Sequence, residues 1–415
     1  MLDNNISKTF NGLGISPRLL GILTNLKFTS PTPIQEKTIG PAIEGKDVIG
    51  IAQTGTGKTL AFGIPMIQRI GKDQAKGLVL LPTRELALQV EETLRAVGRT
   101  LGLRTAVLIG GASMKPQIQA VSRDPHIVIG TPGRIIDHLE QKTLSLEGIS
   151  ILVLDEADRM LDMGFAPQIK KILHHVPKER QTMLFSATMP DDIVRMATQN
   201  MKMPFRVEIA RPGTASEHVE QELFVVKKDQ KIALLGKLLA QYHGTILIFS
   251  RTKYGARNIC RSLRSMGHTA EEIHSNRSLA QRKAALAGFK SGSHRVLVAT
   301  DIASRGIDVV GIEVVINYDI PDNPADYIHR IGRTGRAGKT GRAISFATPE
   351  QRGEVREIER LLRTAIAVSE LPDLPPVQAK VFVDRAPALT ARRPYGNRPS
   401  GQRPYGRRTN FSRGR

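Results

Sequence analysis

Short apolar runs, each closed by a polar or glycine-rich turn and followed by a helix-like stretch, recur along most of this chain. The first series comprises Val48 to Ile51, Leu78 to Leu81, Ala106 to Ile109, Ile127 to Ile129, Ile151 to Leu154 and Met183 to Phe185. A second series holds Ile246 to Phe249, Val296 to Ala299, Val314 to Ile316 and Ala343 to Phe346. The apolar character is continuous instead of alternating, which predicts strands covered on both faces. Helix-like stretches between them make the sheets parallel, so two series predict two doubly wound α/β domains. The first is placed at residues 1–209 and the second at 219–368, joined by a linker at 210–218 that carries no apolar period.

From 369 to 415 the pattern stops. Arg385 to Arg415 holds nine arginines and no acidic residue, and Arg-Pro-Tyr-Gly occurs at 393–396 and again at 403–406. Too few aliphatic side chains remain to offset ordering entropy, so a disordered basic tail is expected. A solubility tail is the plainer reading, but arginines interleaved with Tyr395, Tyr405 and Phe411 suit phosphate contact plus base stacking.

Charge adds to this picture. Over 415 residues, 60 Lys and Arg stand against 39 Asp and Glu, a net charge of +21 that favours a polyanionic partner, nucleic acid first. A membrane is the rival, yet no apolar run reaches the roughly 18 residues that span a bilayer. The opening Met1-Leu2-Asp3 is no signal peptide, so a cytoplasmic protein is expected. The single cysteine, Cys260, reads as a small buried apolar residue and implies no zinc or redox chemistry.

Directly after Val48 to Ile51 comes Ala52-Gln53-Thr54-Gly55-Thr56-Gly57-Lys58-Thr59, with a helix-like stretch beyond. Strand, glycine loop and helix start together form a phosphate cradle, in which Lys58 neutralises the β- and γ-phosphates and Thr59 holds Mg²⁺. Ala52 stands where the strict pattern has glycine. The run Ile151 to Leu154 delivers Asp155 and Glu156 to a strand's carboxyl end, where Asp155 suits Mg²⁺ and Glu156 suits activation of the attacking water. Arg333 and Arg336, in His329 to Arg336, have the spacing to aim two guanidiniums at one developing charge, although alone they equally fit an ion-pairing patch.

Asp155-Glu156-Ala157-Asp158 resembles the signature of the DEAD-box RNA helicases, and motifs similar to the rest of that family's series follow in order from roughly residue 8 to 365. The resemblance implies tandem RecA-like domains, each a doubly wound parallel sheet, and an ATP-dependent RNA helicase. Phe28 and Pro31 to Gln35 resemble the Q motif, with Phe28 stacking on adenine, Gln35 bonding its edge and Phe10 as the upstream aromatic; Lys27 stands where the family has glycine. Thr83 and Arg84, Gly111, and Thr131-Pro132-Gly133-Arg134 look like first-domain RNA contacts, while Ser186 and Thr188 belong to the motif coupling hydrolysis to strand separation. In the second domain Arg251, Thr300 and Asp301 are implied RNA contacts, Asp308 a nucleotide contact, and Arg333 and Arg336 arginine fingers. Asn276 in His274 to Arg277, the wording around Asp155 and the basic tail resemble the bacterial RhlE-like subgroup.

ATP and Mg²⁺ are the implied cofactors and RNA, read largely without sequence preference, the implied partner. Ribosomal precursors or the RNA-decay machinery are further expected partners, with a monomeric core. Two rival readings stay open: an RNA annealing chaperone with weak ATPase, and a DNA-translocating helicase on the same motor. RNA-stimulated ATP hydrolysis that is abolished in Glu156→Gln would exclude the first, and processive unwinding of long DNA duplexes would favour the second.

Overall fold

The continuous apolar runs form the inner strands of two sheets, because each alternate side chain meets a helix layer on one face or the other. The computed structural model describes residues 9–53, 55–73, 75–209, 219–301, 309, 311–335 and 340–374. The expected linker, the tail from 375 on, and Thr54, Asp308 and Arg336 lie outside the described residues.

The first sheet contains β1 (Val48–Ile51), β2 (Lys76–Leu80), β3 (Thr105–Leu108), β4 (Ile127–Gly130), β5 (Ile149–Leu154), β6 (Gln181–Ser186) and β7 (Phe205–Glu208). Its order is β3-β4-β2-β5-β6-β1-β7, all parallel. The second contains β8 (Val219–Val225), β9 (Thr245–Phe249), β10 (Ala270–Ile273), β11 (Val296–Ala299), β12 (Ile312–Asn317), β13 (Gly341–Ala347) and β14 (Ala367–Ser369). Its order, β10-β11-β9-β12-β13-β8-β14 and again parallel, is the first order with seven added to every strand number. One topology is therefore built twice, as tandem RecA-like lobes.

Successive strand residues divide between two cores. Val79, Ile151 and Val153 pack with Ile34, Ile39 and Phe62 of the helices Pro33–Ile43 and Lys58–Asp73. Leu78, Leu80, Leu152 and Leu154 pack on the other side with Ile135, Ile169 and Ile193. Full burial of each such side chain contributes about 1.5–3 kcal/mol. The second sheet repeats the division, with Ile246, Ile248 and Val298 on one face and Leu247, Phe249 and Leu297 on the other.

The apolar runs miss four strands: β7, β8, β10 and β14. Three of these lie at sheet edges, and the fourth, β8, is Val-Glu-Gln-Glu-Leu-Phe-Val, half polar by composition. Edge strands bury one side only, so β7 and β14 are mostly exposed and give no continuous apolar signal. The second lobe also extends past residue 368, since Ser369 pairs in β14 and Leu374 packs against its core. No helix among the described residues is long and apolar enough to cross a membrane.

Lys27 illustrates how a departure from the family wording is accommodated. The helix Pro17–Asn25 ends with Lys27 at φ +63°, its N–H donating to Thr24 O at 2.9 Å and the N–H of Phe28 donating to Leu23 O at 2.9 Å. This closure places its left-handed residue where glycine is normally found. A left-handed side chain costs roughly 1–2 kcal/mol and glycine's looser unfolded chain returns part of that, so Lys27→Gly is expected to stabilise by about 0.5–1 kcal/mol. Denaturant unfolding of the two proteins checks this, and an unchanged midpoint would contradict it.

Candidate active site

Strand register brings the phosphate loop, the acidic pair and Ser186 to one edge of the first sheet. Ile51 pairs with Ser186, the N–H of Ala52 donates to Ser186 O at 2.9 Å, and that of Asp155 donates to Leu80 O at 3.1 Å. In the loop Gly55 and Gly57 take φ of +88° and +87°, and a Cβ on Gly57 would collide with the Gln35 amide. Ala52 is absent from the positive-φ residues, so its methyl carries no backbone cost there. Lys58 opens the helix Lys58–Asp73 and, 6% exposed, donates from Nζ to Ala52 O at 2.8 Å. Thr59 follows it, and Thr56 Oγ1 donates to Gln53 O at 2.7 Å.

The Gln35 amide ties the preceding helix to this loop. Its Oε1 accepts from the Thr32 N–H at 3.0 Å and its Nε2 donates to Gly57 O at 2.9 Å. An amide of this kind retains one N–H and one lone pair, the pair of functions an adenine edge requires. Phe28, 37% exposed, presents an aromatic face at the end of the Lys27 turn.

Both acidic residues are buried, but their surroundings push them apart. Burial, with Glu156 adding to it, drives the Asp155 carboxyl up to about 6 against the pull of Lys58. Burial also raises Glu156, yet Arg159, Lys58 and Arg333 together outweigh it and leave this carboxyl below the ordinary glutamate range. Arg159 Nη1 lies 3.0 Å from Glu156 Oε2, both side chains almost fully enclosed. Glu156 adopts φ +51°, a left-handed conformation that a non-glycine residue takes only where its surroundings enforce it. Thr59 and Asp155 offer hydroxyl and carboxylate oxygens, the hard donors Mg²⁺ takes. No cluster of three or more His, Cys, Asp or Glu that could hold a metal lies among the described residues.

Asp158 links this edge to the next strand. Its Oδ2 accepts from the N–H groups of Ala187 and Thr188 at 3.1 and 2.9 Å and from Thr188 Oγ1 at 2.9 Å, while the Asp158 N–H donates to Ser186 Oγ at 3.2 Å. Asp158, two residues past Glu156, thus ties the acidic pair's segment to Ser186 and Thr188 by hydrogen bonds.

The remaining first-lobe residues line the same edge. Thr83 caps the helix Arg84–Gly98, its Oγ1 accepting from the Leu86 N–H at 3.3 Å. The Arg84 guanidinium lies so close over Gly111 that a Cβ there would collide with it. Thr131 precedes the helix Pro132–Glu140, Gly133 in its first turn faces open space, and Arg134 donates to Ala112 O at 3.0 Å and to Asp137 Oδ2 at 3.1 Å.

In the second lobe Thr300 and Asp301 follow β11, and both Asp301 oxygens accept from Arg330, at 2.6 and 2.7 Å. Arg330 is 2% exposed, stacks over Phe249 and donates to Asp319 O at 2.6 Å, so Asp301 serves first to hold an arginine. Arg251 donates its N–H to Asp319 Oδ2 at 3.0 Å and its guanidinium to Ile320 O at 3.1 Å. Lys231, 4% exposed at the start of the helix Lys231–Gln241, donates to Tyr318 O at 2.7 Å and to Asp319 Oδ1 at 3.3 Å. Arg333 and Arg330 share a crevice with Arg159 of the first lobe. A second bridge joins Arg282 Nη2 to Glu85 Oε2 at 2.8 Å, both buried.

Sequence reasoning left Asp158, Arg159, Glu85, Arg282, Asp319 and Arg330 without roles. Asp158, Glu85 and Arg330 lie inside motifs already singled out, so their neighbours were a signal; nothing local marks Arg282.

Residues 32–196 match the DEAD/DEAH box helicase family and residues 230–338 the helicase conserved C-terminal domain. The chain is 44% identical over 369 residues to the DEAD-box ATP-dependent RNA helicase CshA of Bacillus cereus, covering 88% of this chain and 70% of that protein. It is 43% identical over 391 residues to the ATP-dependent rRNA helicase RRP3 of Debaryomyces hansenii, covering 93% and 82%. Among solved structures, S. cerevisiae Dbp5 bound to RNA and ADP BeF3 is similar with a TM-score of 0.79 at 30% identity, over 87% of this chain and 95% of that one. With a phosphate loop and acidic pair on the first lobe, arginines on the second and matches along most of its length, this chain belongs to the DEAD-box ATP-dependent RNA helicases, hydrolases that act on ATP.

Proposed function

We propose that ATP and single-stranded RNA bind across the cleft between the lobes, that closure bends the strand and parts a short duplex locally, and that hydrolysis and phosphate release reopen the cleft. The observation that carries this reading is the crevice in which Arg330 and Arg333 of the second lobe meet Arg159 of the first, itself 3.0 Å from Glu156. In this scheme Phe28 and Gln35 take the adenine, Ala52 to Thr59 cradle the phosphates, Lys58 neutralises them and Glu156 orients and deprotonates water. Thr59 and Asp155 would hold Mg²⁺, which when bound screens the phosphate charge. Arg333 and Arg336 stabilise charge on the transferred group, and Asp308 takes the role of a nucleotide contact.

Thr83, Arg84, Gly111, Thr131 to Arg134, Arg251, Thr300 and Asp301 serve the RNA backbone, which carries little sequence information. Ribosomal precursors are a natural substrate, given the rRNA helicase among its relatives, and RNA decay is the other. We further read a cytoplasmic protein with a monomeric core, of RhlE-like type by Asn276 and the arginine-rich tail.

The test is strand release from an RNA duplex of one helical turn, with ATP or a non-hydrolysable analogue, beside a long DNA duplex. Release of the short RNA strand and none of the DNA is expected; processive DNA separation would favour the translocating motor, and ATP-independent annealing alone the chaperone.

Asp158→Asn tests the coupling. An amide presents a donor to the N–H groups that the carboxylate satisfied, so about 1.5–3 kcal/mol of charge-assisted bonding is at stake. RNA stimulation of ATP turnover is expected to fall roughly tenfold or more on that scale, with RNA affinity retained. Equal stimulation in both proteins would remove Asp158 from the coupling path.

A further inference from the structure

The first lobe carries a groove that takes no part in the nucleotide site. It has a volume of about 850 Å³ and lies between the helices Ala166–His175 and Asp191–Asn200, floored by Ile169, Leu173, Met196 and Met201. Lys170, Lys178, Arg180, Arg195 and Lys202 stand around it. Several of these charges are already committed: Arg195 pairs with Asp192, Lys202 lies 2.6 Å from Glu179, and Arg180 donates to Pro177 O at 2.7 Å. The buried Asp47 is committed too, accepting from the N–H groups of Thr182 and Lys202, each at 2.7 Å. Lys170 and Lys178 are exposed, and neither pairs with a carboxylate among the described residues. Apolar surface continues beyond the groove, with Met203 97% exposed, Phe205 43% and Val194 43%.

We infer that this groove docks an acidic amphipathic peptide segment of a partner protein, one or two large apolar side chains seated on the Leu173 and Met196 floor and carboxylates facing Lys170 and Lys178. Charge complementarity selects the occupant. The chain's own terminal segment, nine arginines and no acid over Arg385 to Arg415, has the wrong sign for this rim. A nucleic acid has the right sign but gains little from a concave floor of Ile169, Leu173, Met196 and Met201, which offers no ring for a base to stack on, the exposed rings His174 and Phe205 lying outside that floor. A helix laid into a groove uses both the apolar floor and the charged rim.

The experiment selects a displayed library of random linear peptides against the full-length protein, then measures an enriched peptide, fluorescently labelled, against that protein and the Lys170→Glu/Lys178→Glu variant. A labelled oligouridine and RNA-stimulated ATP turnover are measured on both proteins. Expected are enriched sequences mixing acidic with large apolar residues, at least tenfold weaker binding to the variant, and unchanged oligouridine affinity and turnover. The inference is overturned if no such sequences enrich, if the peptide binds both proteins equally, or if the variant loses oligouridine binding instead, which would make the rim an RNA surface.

Discussion

Arg333→Ala is expected to lower RNA-stimulated ATP turnover by about 10³-fold or more, the scale on which arginine fingers act in phosphoryl transfer. Arg333 is 2% exposed, is held through a bond from Nε to His329 O at 3.2 Å, and adds its charge to those of Lys58 and Arg159 on Glu156. Its loss removes a cation placed before reaction begins, so the penalty falls on kcat, with nucleotide affinity changed far less. A second effect has a definite sign. One of the cations that keep Glu156 ionised disappears, its pKa rises, and the acid limb of the residual pH profile moves to higher pH. Pre-steady-state turnover with saturating RNA, repeated across pH, measures both, and a kcat within a few fold of the parent would remove Arg333 from the chemistry.

Breaking the Glu85 to Arg282 bridge is expected to disable closure without unfolding either lobe. The pair meets through one contact of 2.8 Å, and Glu85 Oε1 and Arg282 Nε are buried with no partner among the described residues. Removing one member of a buried pair typically costs about 3–5 kcal/mol, because a charge is left dry. Here the two groups sit on different lobes, so separation rehydrates the survivor, and the cost is taken from the closed population instead of from folding. Arg282→Leu should therefore raise the RNA concentration for half-maximal ATP turnover by roughly 10- to 100-fold, somewhat less than the full penalty. Adding Glu85→Leu should recover much of the loss, since no dry charge remains. The double variant failing as badly as the single one, or a large drop in unfolding midpoint for Arg282→Leu, would show the bridge to be an element of folding.

These two predictions mark where the sequence stops being informative. Val48 to Ile51 and Val296 to Ala299 coincide with β1 and β11 because strands buried on both faces write themselves as unbroken apolar runs. β10 reads Ala-Glu-Glu-Ile at a sheet edge and carries no such mark. The same contrast holds in the site. Lys58 and Glu156 stand in loops whose neighbours in sequence are also neighbours in space, so the local wording marks them. Arg282 meets Glu85 across 197 residues, and Asp301 meets Arg330 across 29, so only folding reveals that these charges are committed to one another.

The repeated strand order gives a stoichiometry. β8 stands in its sheet where β1 stands in the other, and β12 where β5 does; Lys231 opens the helix after β8 as Lys58 opens the one after β1, and Asp319 is the second residue past β12 as Glu156 is the second past β5. In the second lobe that lysine and acid close on each other at 3.3 Å, and the turn before the helix, Val226-Lys227-Lys228-Asp229-Gln230, has no glycine to fold around an anion. With the second position closed by its own counterion, calorimetric titration should return a single nucleotide per chain.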